Sequence, residues 1–246
     1  MIRVSAMARA AIRSCTVLIG WAVLSIAQGS NLQVAPVKVD ISSAQLSSSV
    51  TLRNPGRAPI YGQVRVFAWD QIRGEESLRP ATDLIASPPL LELGIDGVQL
   101  VRLVRTSTAP PSRELSYRLL VDEIADPETA PANGVAIQLR YSIPVFVATQ
   151  SSSDPHPPAW TLSRHKDQWV LRLENTGPTH LQVGALTLID AMGVRLPVSE
   201  GLMGYALAER YREWQLPKSV VATLSPPVHV EALINGRPST TVATTQ

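Results

Sequence analysis

The chain is poor in the groups that would lock it covalently or give it a reaction to run. Of its 246 residues one is a cysteine, Cys15. That thiol falls inside an apolar leader, so the rest of the chain has neither a disulfide framework nor a cysteine-based zinc set. The four histidines, His156, His165, His180 and His229, are scattered without metal-ligand spacing. There is no Gly-x-Ser-x-Gly elbow, no Gly-x-x-x-x-Gly-Lys phosphate cradle and no Gly-x-Gly-x-x-Gly turn. Acid pairs such as Asp122 with Glu123, or Glu75 with Glu76, stand beside turns and basic residues, as solvated surface does. The reading is a protein that is not an enzyme and needs no cofactor.

Long hydrophobic runs are missing beyond the first 29 residues. Those residues carry Arg3, Arg9 and Arg13 without an acid, then an apolar run over 15–27, then Ala27-Gln-Gly29. That pattern predicts a secretory signal peptide over 1–29, with cleavage after Ala27 or Gly29. No later run approaches the roughly 20 apolar residues of a membrane span, so no membrane insertion is expected. An excess of one charge is missing as well. Three of the 22 basic residues lie in the leader, which leaves 19 against 20 acidic ones. The whole-chain pI of 8.9 therefore overstates the basicity, and nothing in the composition points to nucleic acid or an anionic membrane as partner.

Capped helical periodicity is absent too. What is present is 20 prolines, 14 glycines and many short runs of strand character. The best are 50–52, 60–69, 98–104, 115–121, 135–147, 169–173, 181–189 and 228–234, which predict an all-β protein built from sandwiches. Over 115–121 the odd positions are apolar and the even ones mixed, and 228–234 repeats the pattern with His229 and Glu231 on the face away from Val228 and Val230. His229 is thus read as a solvated strand residue. The polar, proline-rich stretch 150–158 reads as a linker between domains at 30–149 and 159–246.

The most informative stretch is 133–147. Val135, Ile137, Leu139, Tyr141 and Ile143 alternate with Ala136, Gln138, Arg140 and Ser142, a strand period. By pattern alone it fits an ordinary sandwich strand, or a sheet-edge strand able to pair with another chain.

Taken in order, several fragments resemble the PapD-like periplasmic chaperones of chaperone–usher systems. Val34-Ala-Pro-Val-Lys-Val-Asp40 resembles the family's opening strand, and Ser49-Val-Thr-Leu-Arg-Asn-Pro-Gly56 its second strand with an Asn-Pro turn. Ala86-Ser-Pro-Pro-Leu90, Leu100-Val-Arg-Leu103 and the specific block Arg113-Glu-Leu-Ser-Tyr-Arg-Leu-Leu-Val-Asp-Glu-Ile124 follow. Leu173-Glu-Asn-Thr-Gly-Pro178, Gly204-Tyr-Ala-Leu207, Trp214-Gln-Leu-Pro217 and Ala232-Leu-Ile-Asn-Gly-Arg-Pro238 complete the series. Its tone, with Pro144 in the long strand, looks most like the archaic or spore-coat-U-associated branch.

The resemblance implies two immunoglobulin-like β-sandwiches in a boomerang arrangement. It implies a periplasmic chaperone that binds pilus or fimbrial subunits and delivers them to an outer-membrane usher, the free protein being a monomer or a self-capped dimer. A subunit lacking its last strand would receive one from the chaperone, with Val135, Ile137 and Leu139 filling its groove. Two cleft cations would hold the subunit's terminal carboxylate. The first falls on Lys38; the second falls on Ser142, which has no charge, so Arg140, two residues away on the same face, is the expected replacement. The family's interdomain charge cluster keeps Glu114 but meets Phe146 and Asn235 at its other positions, so packing is expected to set the domain angle. The alternative is a secreted immunoglobulin-like structural subunit or adhesin.

Overall fold

The computed structural model describes residues 32–124, 138–150, 156–165, 168–217 and 224–245. It is built of strands and turns, and among the described residues no helix is long and apolar enough to cross a membrane. The alternation read at 115–121 sits in a strand, because a pleated backbone sends successive side chains to opposite faces. There Tyr117, Leu119 and Val121 turn into a core.

Ten strands make the first sandwich: β1 (Gln33–Ala35), β2 (Val39–Ile41), β3 (Ser47–Arg53), β4 (Ile60–Ile72), β5 (Glu75–Pro80), β6 (Leu84–Ser87), β7 (Leu90–Leu93), β8 (Val98–Arg105), β9 (Leu115–Ile124) and β10 (Arg140–Val147). One layer runs β1-β3-β8-β6 and the other β2-β10-β9-β4-β5, with β7 also paired to β4. The single opening strand expected over 34–40 is thus two strands, one in each layer, because Pro36 offers no N–H to continue a ladder. Between the layers, Val50, Leu52, Val101, Leu103 and Leu84 pack against Ile41, Val64, Leu119, Val121, Val145 and Val147.

The second sandwich contains β11 (Ala159–His165), β12 (Gln168–Asn175), β13 (Leu181–Ile189), β14 (Arg195–Ala206), β15 (Arg210–Gln215), β16 (Val228–Ile234) and β17 (Arg237–Thr245). Its strands follow the order β14-β13-β16-β17-β11-β12-β15. At its end β17 leaves β16 and pairs in parallel with β11 through Thr244 and Thr245, which joins the two layers. Leu162, Leu171 and Leu173 meet Val183, Leu186, Leu188, Val228 and Val230 in the core. His229 lies half-buried on the opposite face, where the sequence placed it.

Both sandwiches use the same device where a strand turns. Asn54, fully buried, donates through Nδ2 to the carbonyls of Ala58, Leu93 and Gly94 and accepts from the Gly56 N–H. Asn175 donates to Thr179, Ala206 and Leu207 and accepts from Gly177. A side-chain amide can satisfy several turn carbonyls that a ladder cannot reach, and this explains both the Asn-Pro-Gly and Asn-Thr-Gly fragments. Asn175 also anchors the Ala206–Leu207 corner, which bears on the site below.

Candidate functional site

The stretch singled out in the sequence enters the described residues at its downstream end. Val135 and Ile137, expected to fill a partner's groove, lie outside the described residues, whereas Leu139 is exposed just ahead of β10. All of β10 pairs with β9, from Arg140 opposite Asp122 to Val147 opposite Leu115. On its other side only Val145, Phe146 and Val147 are covered, by a parallel pairing with Val39, Asp40 and Ile41 of β2. Among the described residues, the 140–144 segment is therefore a sheet edge, continued in line by β2.

Residues of β10 divide by face. Ile143, Val145 and Val147 belong to the core of the first sandwich, and Tyr141 packs against it. Phe146 points the other way, into a small buried cluster with Trp69, Tyr205 and Leu207. Trp69 comes from β4 and Tyr205 from β14, so this cluster joins the two sandwiches. The rings meet at centroid separations of 5.5 Å (Trp69–Tyr205, edge-on), 6.0 Å (Trp69–Phe146) and 5.6 Å (Phe146–Tyr205). His180 lies flat on Phe146 at 3.7 Å.

Polar contacts frame this apolar patch. The buried Glu114 carboxylate accepts from the His180 backbone N–H at 2.9 Å and from His180 Nδ1 at 2.8 Å. Phe146, standing at one of the charge cluster's other positions, thus supplies a stacking surface for the histidine that pairs with Glu114. Asn235 is elsewhere, bonded to Gln182 beside the β16–β17 turn. Gln71, 4% exposed, donates from Nε2 to Tyr205 O at 2.7 Å and accepts the Leu207 N–H at 3.0 Å, tying β4 to the second sandwich. Asp70 pairs with Arg210 of β15 at 2.6 Å. Burial opposes the Asp70 charge, but bonds from Arg210 and the Gln71 N–H win and hold its carboxyl below the usual range.

The two expected cations are not brought together. Lys38, immediately before β2, lies 5.9 Å from the Phe146 centroid and pairs with Asp40 at 2.8 Å. Arg140 is at the far end of β10, where its Nε bonds Asp122, a carboxylate that Arg65 also grips at 2.6 Å. Burial opposes the Asp122 charge, yet the bonds from Arg140 and Arg65 keep its pKa below the ordinary value. Ser142 is exposed.

The cation that does lie in the cluster is Arg118 of β9. Its guanidinium is 3.7 Å from the Trp69 centroid and 5.9 Å from that of Tyr205, and Glu76 is 3.6 Å away. Burial pulls its pKa down, partly offset by Glu76. The alternating pattern of 115–121 carried a signal for Arg118, an even-numbered arginine in a strand whose odd face is core. Nothing local in the sequence marked Gln71 or His180, and the fragment Gly204-Tyr-Ala-Leu207 gave Tyr205 no role, because each acts across the join between sandwiches.

Residues 31–151 match the family model for pili and flagellar-assembly chaperones, PapD N-terminal domain. No curated protein sequence matches the chain. Among solved structures, the CsuC–CsuE chaperone–tip adhesion subunit pre-assembly complex from archaic chaperone–usher Csu pili of Acinetobacter baumannii contains a chain similar to this one. Its TM-score is 0.66 at 22% identity, covering 88% of this chain and 100% of that one. The E. coli chaperone DraB gives a TM-score of 0.58 at 22% identity over 87% and 98% of the two chains. The Salmonella enterica SafA pilin–SafB chaperone complex gives 0.60 at 16% identity over 87% and 97%. Residues 31–151 thus match the PapD N-terminal-domain family of pilus-assembly chaperones, and the chain as a whole shares the fold of the chaperone structures above, two immunoglobulin-like sandwiches.

Proposed function

We propose that this chain is a non-enzymatic periplasmic chaperone that binds pilus or fimbrial subunits by lending them a strand, and then delivers them to an outer-membrane usher. The observation that carries this reading is the open edge at 140–144, which lies in the family-matched sandwich and ends where β2 begins. An unpaired edge presents backbone donors and acceptors, and an incomplete sandwich needs both these and apolar side chains to close its groove. Exchange of one strand for another requires no nucleotide. The leader at 1–29, domains at 30–149 and 159–246, and a linker at 150–158 complete the proposal, as does membership of the archaic branch.

In this reading Val135, Ile137 and Leu139 fill the subunit groove, and Lys38 holds the subunit's terminal carboxylate. Both expected anchors are engaged in the free chain: Lys38 would have to release Asp40, and Arg140 would have to release Asp122, to serve. Co-expression with a small secreted pilus subunit, chosen from the genes that neighbour the chain's own where one is found, provides the test. Wild-type chain should raise the yield of soluble subunit. Ile137→Asp should abolish the gain, because an unpaired charge would be driven into an apolar groove. Equal yields with and without the chain would refute the reading, and recovery of the chain itself in assembled surface fibres would favour a structural subunit.

A further inference from the structure

β10 is held along its length by two different means. Downstream, Ile143, Val145 and Val147 are buried in the first core and Phe146 in the join. Upstream the apolar hold gives out: Tyr141 only packs against that core, and Leu139 and Arg140 are exposed. Polar contacts take over there. Arg140 stands opposite Asp122 on β9, and its Nε bonds that carboxylate. Arg65 of β4 reaches the same carboxylate from the other side at 2.6 Å. It lies two residues from Gln63, the β4 partner of Asp122, and so on the same face. Phe67 backs it, with its ring centroid 5.5 Å from the Arg65 guanidinium. One residue further on, the Glu123 N–H donates to Leu139 O at 3.0 Å.

Resting on the reading above, we infer that Asp122 is a positioning residue for strand donation: with Arg65 and Arg140 it forms a clasp across β4, β9 and β10 that holds the upstream end of the open edge in register for an incoming subunit.

The clasp stands at the end of the 140–144 edge that lies away from β2. An edge strand has ladder bonds on one side only, so its end frays unless something else fixes it. A subunit strand pairing with that edge needs its donors and acceptors already in line. If the end is ordered only part of the time, apparent affinity falls by that fraction. The geometry suits the task. Asp122 belongs to the middle strand of the three and its side chain is only 15% exposed, so water competes less for its bonds than for those of an open surface pair. A carboxylate can also accept from two arginines at once, one holding the edge strand and the other rooted in β4. This gives Arg140 a task opposed to that of an anchor, and one substitution separates the two. If Arg140 had to leave Asp122 to bind a terminal carboxylate, Asp122→Asn would release it and raise capture. As part of a clasp, the same change lowers capture.

The test uses the full-length chain and the same secreted subunit, with two readouts: subunit co-purified per chain, and peptide-level hydrogen exchange of the chain alone. Asp122→Asn and Arg140→Gln should each lower capture about fivefold, as for an edge ordered about one-fifth of the time. The double variant should fall little further, because both changes remove one clasp. Asp122→Glu, which keeps the charge, should recover part of the loss. In the Asp122→Asn chain alone, amides over 139–142 should exchange faster while those over 145–147 keep their wild-type rate, a split that a general loss of stability would not produce. Should Asp122→Asn not fold, the exchange pattern of Arg140→Gln decides, since removing an anchor would leave 139–142 unchanged. Capture by Asp122→Asn that rises, or stays within about twofold of wild type, overturns the clasp, as does exchange that speeds equally at both ends of β10; either leaves the chaperone reading standing. A wild type that holds no subunit overturns the chaperone reading and the clasp's part in donation with it, even where the exchange pattern is the expected one.

Discussion

At the scale of single residues, the arginine expected to bind a partner is the one the fold has already engaged. Asp122 draws Arg140 and Arg65 to one carboxylate on the outer face of the sheet, and their bonds hold its pKa below the ordinary 3.8 despite the opposing effect of burial. A carboxyl whose pKa is lower folded than unfolded adds stability that is complete above the unfolded value. That stability is lost as pH falls through the folded value. Asp122→Asn should therefore lower stability by about 1 kcal/mol at neutral pH. The gap to wild type should hold steady down to roughly pH 4 and close at lower pH. Urea midpoints of the two proteins between pH 7 and 2.5 measure it; a gap that persists at the acid end would mean the aspartate's charge is not what stabilises the pair. The same positions show what sequence could and could not reveal. Lys38 and Arg140 were both visible as strand cations, but alternation reports only the face of a side chain. Whether an acid across the ladder has claimed it depends on register, and the Arg140–Asp122 register is a pairing between distant segments.

At the scale of elements, the hairpin between β4 and β5 does more than reverse the chain. Its turn residues Arg73 and Gly74 have φ of 54° and 78°, the left-handed pair that a two-residue turn with the right twist requires. The tip reaches the second sandwich, where the buried Gly74 accepts through its carbonyl from the Glu213 N–H at 3.2 Å and from Arg212 Nη1 at 2.9 Å. A methyl group at Gly74 would meet Glu213 Cγ at 2.9 Å as well as forcing an L-residue into that conformation. Gly74→Ala should then cost about 1 kcal/mol or more by chemical denaturation. Gly74→Asn, which tolerates positive φ, should cost less than alanine if conformation dominates and as much if the crowding does. Strands were legible in proportion to how regularly one face is buried. β16 coincides with the predicted 228–234 and β13 with 181–189, since each lies on a core. β14 escaped notice because it is only partly buried, without regular alternation, contains Pro197, Gly201 and Gly204, and slips register against β13, so no period survives. The candidate site was half legible for a related reason: β10 advertises its strand character, whereas the cluster it serves is assembled from β4, β9 and β14.

At the scale of the whole molecule, the two sandwiches share a dry patch and a set of matched polar bonds, and this should make them unfold together. Phe146, Trp69, Tyr205 and Leu207 are each less than 5% exposed at the join. Gln71 contributes there what a missing strand would, one acceptor and one donor, to the backbone of Tyr205 and Leu207. Replacing it with leucine leaves a buried carbonyl and N–H unpaired at a cost of about 1–3 kcal/mol, and Phe146→Ala removes a ring packed on Trp69, Tyr205 and His180 at about 3 kcal/mol. Neither residue belongs to the inner core of a sandwich, so each loss falls mainly on the coupling between them. The expected result is one cooperative transition for the wild type and two for the Gln71→Leu/Phe146→Ala double variant, followed by tryptophan fluorescence and circular dichroism in urea. Trp69 reports the join, and Trp160, buried in the second core, reports that sandwich. If the double variant still unfolds in a single coincident transition, merely shifted to lower urea, then the join is not what couples the halves. If the wild type already shows two transitions, the patch adds too little to bind them. A split confined to the variant would mean that the cleft's geometry is set by this patch, and the same substitutions should then weaken subunit capture while the open edge of β10 is unaltered.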